Sequence, residues 1–599
     1  MNTRTSRNKQ YYDFAKVQKE LYESSKKGKT DFKDLLEIIL SDENILLAYR
    51  TIKSNKGSKT AGTDDRTILN LAESDQEHFL KEIKALLRNY KPQAVRRVFI
   101  PKPNGKERPL GIPTINDRLV QQMFLNVLEP ICEAKFYNHS YGFRPLRTTR
   151  HAVARVQTLI NINKLHFTVD IDIKGFFDNV NHCLLIKQLW NIGIKDKRVL
   201  AIISKMLKAP IQGEGIPNKG VPQGGILSPL LSNVVLNDLD HWVANQWDTF
   251  DKTRHKYVGN DVKIANLRRA SNLKEGYIVR YADDFRILAR DHGTATKWFH
   301  AAKGYLKDRL KLDISPEKSK IINLRKRSSE FLGYRMKAVK KGNKLVAKTN
   351  VSEKNIKQIQ QTLKKRIIKI QKNPVPDNVR IYNATVLGVH QFYKHATHVV
   401  KDFNDIEYRL LRTLKSRLKK IAKYGYPRLS EKSTYLKFYK PTRKTFKIGK
   451  DDYLFPIGDI KTTSNFNFSQ SLNPYDNKEH FEWDKEIVTM MKSRLQNRSV
   501  EYMDNRLSLY SQQKGLCAVL KIPLPAEFVH CHHKTPVELG GTDEYKNLTI
   551  VHVFVHKLIH ATRPETINKY IKLLKLNSMQ LRKINQLRRL CKLEKIVID

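Results

Sequence analysis

The chain has 599 residues, with 111 Lys and Arg against 59 Asp and Glu, a formal charge of +52 at pH 7. That length exceeds a single hydrophobic core and calls for several domains, and 40% hydrophobic residues are enough to fold them. No apolar run approaches a membrane span, the first residues hold no apolar signal core, and the five cysteines form no C-x-x-C pair. These features argue against a membrane protein, a disulfide scaffold and a four-cysteine zinc module, and the expectation is a soluble protein of a reducing compartment with a polyanionic partner.

Residues 1–35 are polar and read as a helical extension. Leu35, Ile38, Ile39, Leu46 and Ala48 are spaced for short helices between Asp31 and Ile52, and SNKGSKTAGTDD follows as a loop. AVRRVFIPKPNGKERPLGIP (94–113) is strand, Asn-Gly turn, strand: a hairpin with basic arms. Helical spacing returns over 117–134. HFTVDIDIKGFFDNV (166–180) begins as an alternating strand and ends in an aromatic turn. GVPQGGILSPLLSNVVLNDLD (220–240) is a glycine turn feeding an amphipathic helix, and the polar stretch 242–276 reads as a surface insertion.

VRYADDFRILAR then predicts a strand, a tight turn and a return strand, with Asp283 and Asp284 side by side at the tip. Beyond Tyr334, Ile356, Ile359, Leu363, Ile367 and Ile370 repeat at helical spacing until NPVPDN breaks the helix; two more helices follow, around 379–395 and 403–421. From 411 to 450, fourteen Lys and Arg accompany a single acid, Glu431. Tyr424, Tyr426, Tyr435, Phe438, Tyr439 and Phe446 alternate with them, a mixture suited to stacking bases while cations hold phosphates.

Adjacent carboxylates at a half-buried hairpin tip repel each other unless a cation neutralises them, and a small set of oxygen ligands suits Mg²⁺. With a third acid from VDIDIKGFFD, two ions about 3.5–4 Å apart would activate an attacking 3′-hydroxyl and stabilise the leaving pyrophosphate. HCHHKTPVELGGTDEYKNLTIVHVFVHKLIH (530–560) is a second constellation. His556 and His560 stand at i and i+4 and share one helix face, while His532 and His533, adjacent on a strand, point to opposite sides.

The blocks KGSKTAGTDD, PKPNGKERPLGIPT, SYGFRPLRTTRHA, DIDIKGFFDNVNH, GVPQGGILSPLLSNVVLNDLD, YADDF, LDISPEKSKI and FLGY, in this order, resemble reverse transcriptases. More narrowly they resemble the multidomain proteins encoded within group II introns, from about residue 40 to 562. The resemblance implies a multidomain α+β fold. After the extension at 1–35 come right-hand polymerase fingers and palm with an antiparallel sheet (36–345) and a helical thumb or maturase domain (346–445). A DNA-binding region (446–505), a ββα-metal (HNH) nuclease (506–562) and a basic helical tail (563–599) complete it. YNATVLGVHQFY (382–393) carries the maturase match.

Residue by residue, the resemblance makes Asp172, Asp283 and Asp284 the catalytic acids holding two Mg²⁺ ions, with Asp170 as their neighbour. Phe177 becomes the ring that excludes a ribose 2′-hydroxyl, beside Phe176 in the core. Lys102, Arg108 and Gln223 bind the incoming nucleotide. In the nuclease, His533 is the general base, Asn547 orients it, and His532, His556 and His560 ligate one divalent ion, Mg²⁺. The family's paired cysteines are missing: Cys517 stays, but Leu520 and Val555 stand where partners belong, so no structural Zn²⁺ is expected. Whether the tail packs on the nuclease or touches nucleic acid is left open.

The function so implied is an RNA-directed DNA polymerase with splicing-assisting maturase activity and HNH DNA endonuclease activity, acting in intron mobility by target-primed reverse transcription. The alternative is a splicing-only maturase with a vestigial nuclease. Implied partners are group II intron RNA in a ribonucleoprotein, target DNA and dNTPs, with no membrane; a homodimer stays open. The compartment is the bacterial cytoplasm, or an organellar matrix or stroma for an organelle-encoded copy.

Overall fold

A computed structural model describes residues 11–101, 105, 107–251, 257, 259–428, 433–449, 452–476, 484–493 and 495–597. They form two compact units, each assembled from separated stretches of chain. One takes the chain up to Phe136, Gly175–Val235 and everything from Asn473 onward; the other takes Tyr137–Lys174 and Leu236–Leu472. The architecture is mixed α/β, and every sheet pairing is antiparallel.

The Tyr137–Lys174/Leu236–Leu472 unit is built on a four-stranded sheet ordered Tyr277–Tyr281, Asp284–Ala289, Phe167–Ile171, Lys320–Asn323. Val169, Ile171, Ile278, Val279, Ile287 and Leu288 are buried, as β-branched and aliphatic side chains on a covered sheet should be. Helices Thr149–Asn161 and His292–Asp308 pack on it. A three-stranded sheet (Ser329–Phe331, Tyr334–Lys341, Lys344–Val351) and the helices Glu353–Lys372, Pro376–Tyr393 and Val399–Leu418 follow. Ile359, Leu363, Ile367 and Ile370 form the buried stripe of the first helix, which stops at Asn373; Pro376 opens the next, where a missing N–H costs nothing.

Two expectations change here. The stretch 242–276, read as a surface insertion, is anchored at its start: the helix Ser228–Asn245 runs into it, Trp242 stacks on Tyr305 at 4.5 Å, Trp247 is buried, and a second, largely exposed helix spans Asn260–Ala270. The aromatics of 411–450 are not all available to bases. Tyr435, Tyr439 and Phe446 are buried, while Tyr424, Tyr426 and Phe438 remain exposed. The physical reason is that the small sheet Ala422–Gly425/Thr445–Ile448/Asp452–Tyr453 needs its own core, which Phe455 shares with Tyr435 and Tyr439. Glu431 lies outside the described residues. Leu454, Ile457 and Phe468, inside the expected DNA-binding region, belong to the hydrophobic cluster of this unit.

The other unit centres on the helix Ile115–Glu133, capped by Thr114 and buried along almost its whole length. Helices Phe14–Lys26 and Asp42–Lys53 pack on it. Gln18 Nε2 donates to the Asn126 carbonyl at 2.7 Å and Ser25 Oγ to the Ile131 carbonyl at 2.9 Å, with Phe14 and Leu21 buried. The amino-terminal segment is therefore structural core and not an appendage. The basic hairpin pairs Arg96–Pro101 with Glu107–Ile112.

Toward the C-terminus, the helix Val500–Gln512 precedes a ββα arrangement of strands Val529–His533 and Leu548–His552 and helix Val553–His560. Buried Asp504 accepts from Arg50 at 2.7 Å and Lys53 at 3.1 Å, which fastens the 500–512 helix to the helix Asp42–Lys53. Helices Pro564–Leu574 and Ser578–Leu590 form the tail and pack on the helix Val553–His560. Among the described residues no helix is long and apolar enough to cross a membrane.

Candidate active sites

Asp172 lies just past the end of the strand Phe167–Ile171, whose inner neighbour Asp284–Ala289 carries Asp284 at its first position. Tyr281 pairs with Asp284, so Ala282 and Asp283 form a two-residue turn, with Ala282 at a left-handed φ of 57°. A non-glycine residue held there stores strain and signals that the surroundings dictate its position. Asp170, Asp172 and Asp284 line one cleft of about 520 Å³ together with Arg286, Lys318 and Ser329. Desolvation pushes the Asp284 carboxyl up to about 6; Arg286 pulls it down, while Asp170, Asp283 and Asp172 push it further up. Asp284 nonetheless keeps an open face to solvent, so the crowding comes from dense protein on one side.

Asp170 and Asp172 share a strand direction but not a role. Asp170 is tied down by Ser329 Oγ at 2.5 Å, by Thr168 Oγ1 at 2.7 Å and by Arg286 at 3.4 Å. Asp172 is half-buried, and its Oδ2 meets only the exposed ammonium of Lys318, at 3.0 Å, among the ion pairs of the described residues. An acid with committed partners is a brace; one whose partner is an exposed surface lysine can exchange it for a metal. Asp172 and Asp284 thus bring to one cleft the all-oxygen donors that a hard divalent cation takes, and Asp283 adds its charge to the repulsion felt by Asp284.

The other polymerase candidates belong to the other unit. Phe177 is half-buried beside buried Phe176, ring centroids 5.4 Å apart, and its carbonyl accepts from Val221 N at 2.7 Å. Gln223 gives its carbonyl to Gly111 N at 2.7 Å and its Nε2 reaches Asp178 at 3.4 Å. Gly224, at φ 109°, lies so close to the hairpin that a Cβ would sit 2.5 Å from the Gly111 oxygen. That close approach is what the glycines of PQGG provide. Arg108 is exposed on the hairpin opposite Ile100, and Lys102 lies outside the described residues.

The histidines gather in the ββα region. His532 is buried; its Nδ1 lies 3.4 Å from His560 Nε2. The His556 ring is stacked on His530 at 3.5 Å and stands 4.7 Å from that of His560. Burial, reinforced by the neighbouring imidazoles, lowers His532 to about 3, His530 to about 4 and His556 to about 2. All three are therefore neutral at physiological pH, the state in which imidazole ligates metal. His533 faces elsewhere: its Nε2 meets Asp543 at 2.7 Å and its ring stacks on Tyr502 at 5.4 Å. Burial pushes the Asp543 carboxyl up, and hydrogen bonds from His533 and Ser499 outweigh it and hold the group below the usual range. Asn547 clamps the intervening loop: its Oδ1 accepts from Thr535 N at 2.9 Å, and its Nδ2 donates to the carbonyls of Thr535 and Thr542.

Residues 100–336 match the family model for reverse transcriptase (RNA-dependent DNA polymerase). The E. coli K12 protein YkfC is 33% identical over 318 residues, 50% of this chain and 82% of that protein. The group II intron-encoded protein LtrA of Lactococcus lactis subsp. cremoris is 30% identical over 537 residues, covering 78% of this chain and 86% of LtrA. The chain belongs to the group II intron-encoded reverse transcriptase/maturase family. Nuclear intron maturase 2 of Arabidopsis thaliana matches a shorter part, 29% identical over 177 residues, 22% of this chain and 24% of that protein. This group II intron-encoded protein is an RNA-directed DNA polymerase with maturase function.

Three residues that the sequence reading did not single out hold these candidate sites in shape. Arg280, fully buried, donates to Asp240 through contacts of 2.9, 2.9 and 2.7 Å and to the Ala282 carbonyl at 2.9 Å, so it holds the carboxylate turn from beneath. Gly142 lies flat against the same turn: a Cβ there would sit 2.2 Å from Ala282 N. Asp543 is the third. Gly142 sits inside SYGFRP, and the arginine before YADD was visible, but neither shows what it touches until the fold is known.

Proposed function

We propose that the Tyr277–Asp284 turn and the end of the strand Phe167–Ile171 form the polymerase palm, with Asp172, Asp283 and Asp284 holding two Mg²⁺ ions. When bound, those ions supply Lewis acidity to the attacking 3′-hydroxyl and to the leaving pyrophosphate. The chain's own part is placement. Arg280 and Gly142 set the turn that carries Asp283, Asp170 and Arg286 brace the neighbouring strand, and Lys318 is the cation that yields Asp172 when metal arrives. Arg108 on the basic hairpin, the fingers, takes the triphosphate together with Lys102; Gln223 and Phe177 take the base and the sugar. The helices from Glu353 to Leu418 act as the thumb and, with the exposed Tyr424 and Tyr426 and the cations around them, as the intron-RNA surface.

In the ββα region, a divalent ion held among His532, His556 and His560 would polarise a DNA phosphodiester, and His533, oriented by Asp543, would take the proton from the attacking water. The nicked strand then primes cDNA synthesis. The observation that carries the polymerase reading is the cleft shared by Asp172 and Asp284, in which burial, together with the charges of Asp170, Asp283 and Asp172, holds the Asp284 carboxyl up at about 6. Primer extension by the purified protein on an RNA template with dNTPs and Mg²⁺, beside Asp283→Ala, tests it. Extension lost only in the variant supports the assignment. Equal extension in both removes Asp283 from the site, and splicing without any extension leaves the splicing-only maturase.

A further inference from the structure

Cys591 follows the last helix of the tail and is buried, and its Sγ lies within 4.8 Å of a ring nitrogen of His532 and one of His560, which are themselves within that distance of each other. We propose that Cys591 is a metal ligand, that the C-terminal tail thereby completes the histidine centre, and that the centre takes Zn²⁺. The inference deepens the nuclease reading at its metal site, from which it takes His532 and His560, and adds a ligand from a segment that the family resemblance does not cover.

Three independent features support it. His532 is 1% exposed, and because its Nε2 has no hydrogen-bond partner among the described residues, the only polar contact of this buried ring is the one Nδ1 makes with His560, which leaves Nδ1 as the ligand atom. His532 Nδ1 and His560 Nε2 stand 3.4 Å apart. The edge of a tetrahedron of nitrogens around zinc is about 3.3 Å, given Zn–N bonds of about 2.0–2.1 Å. The tail is also locked in position. Buried Arg588 donates through one nitrogen to the carbonyls of Leu558, Ile559 and Ala561, at 3.0, 3.0 and 2.7 Å, and through Nε to that of Glu594 at 2.7 Å. One guanidinium therefore closes the C-terminal end of the helix that carries His560 and fixes the turn in which Cys591 sits.

The donor set chooses the metal. A thiolate with two imidazoles is a soft-to-borderline set that prefers Zn²⁺ to Mg²⁺, and three protein ligands leave a fourth position for water or for His556. Binding converts the Cys591 thiol to thiolate and releases its proton to solvent. The competing account is a buried cysteine whose thiol only leans on the Lys534 carbonyl, 3.7 Å away.

The test uses the full-length protein, stripped of metal and titrated with Co²⁺ as the spectroscopic stand-in for Zn²⁺. The expected result is a thiolate-to-cobalt charge-transfer band rising to one equivalent and displaced by Zn²⁺. Cys591→Ser should lose that band and bind Zn²⁺ at least about tenfold more weakly, and Arg588→Met should weaken binding by a similar factor while keeping the band. Cys591→His retains a ligand atom, so it should keep Co²⁺ with the charge-transfer band gone, which separates loss of the thiolate from unfolding. No band in the wild type, or an unchanged band in Cys591→Ser, overturns the proposal. A DNA-nicking assay run alongside reads the nuclease separately: a band without nicking defeats the nuclease reading alone, and nicking without a band defeats this one alone.

Discussion

The buried pair Arg280–Asp240 offers the sharpest test of how the carboxylate turn is held. Both side chains are fully buried, and the pair is joined by three nitrogen–oxygen contacts of 2.9, 2.9 and 2.7 Å, with a further bond from Arg280 to the Ala282 carbonyl. Arg280→Met keeps most of the volume but strands the Asp240 charge in protein, which costs about 3–5 kcal/mol. Spread over a unit of this size, that is a fall of roughly 10 °C in the melting temperature. Asp240→Leu should cost a similar amount by stranding the guanidinium. The double variant removes both charges, and a buried pair replaced by apolar side chains is close to neutral, so most of the lost stability should return. Its activity should not, because the Ala282 carbonyl still lacks its donor. A net loss of about 1.4 kcal/mol in positioning would leave primer extension about tenfold slow. Calorimetry and single-turnover extension on the four proteins settle it. Singles that melt within about 2 °C of wild type, or a double as unstable as the worse single, refute the brace.

Gly142→Ala places a methyl group 2.2 Å from Ala282 N and 2.8 Å from the Tyr281 carbonyl carbon, so the turn must move. A displacement of that order costs about 10²-fold in extension rate, and a near-native rate would show that the turn tolerates it. Asp543→Asn should leave extension intact and slow DNA nicking by about 10²–10⁴-fold, since it leaves the His533 base without its carboxylate partner; unaltered nicking removes Asp543 from the chemistry. His390 is buried, donates from Nε2 to the Ile457 carbonyl at 2.8 Å, accepts at Nδ1 from the Tyr439 hydroxyl at 2.9 Å, and is lowered to about 4 mainly by burial. The unfolded chain therefore takes up a proton that the folded one refuses. Stability from this group is full above about pH 6.5 and falls as the pH drops toward 4, by up to roughly 3 kcal/mol. His390→Gln should flatten the melting-temperature profile in that window, and an identical slope in both proteins would refute the assignment.

The polymerase sheet was legible because its signals are local: alternating aliphatic residues, a two-acid turn, and glycines where backbones touch. The stripe Ile359, Leu363, Ile367, Ile370 was legible for the same reason. What escaped depends on partners far away in the chain. Tyr435, Tyr439 and Phe446 look like stacking rings until Phe455 is seen beside them. The amino-terminal segment looked polar because its buried positions are few and its hydrogen bonds go to backbone carbonyls of a distant helix. Trp247, in a stretch poor in aliphatics, finds its burial against Tyr277. Around the histidines, spacing on one helix brought His556 and His560 into view. Asp543 sits ten residues from its partner across a loop, and Cys591 lies on a tail with no spacing rule to connect it.

The bond between Arg50 and Asp504 spans 454 residues of sequence and that between Lys53 and Asp504 spans 451. A ribosome adding about 5–20 residues per second needs roughly 20–90 s to travel that distance. For that interval the helix Asp42–Lys53 waits with two cations aimed at a carboxylate not yet made. Meanwhile the last strand and helix of the Tyr137–Lys174/Leu236–Leu472 unit leave the exit tunnel and can close around their sheet. The order of synthesis thus favours a protein whose polymerase sheet matures first, while the unit that holds the histidines is sealed only after Asp504 arrives.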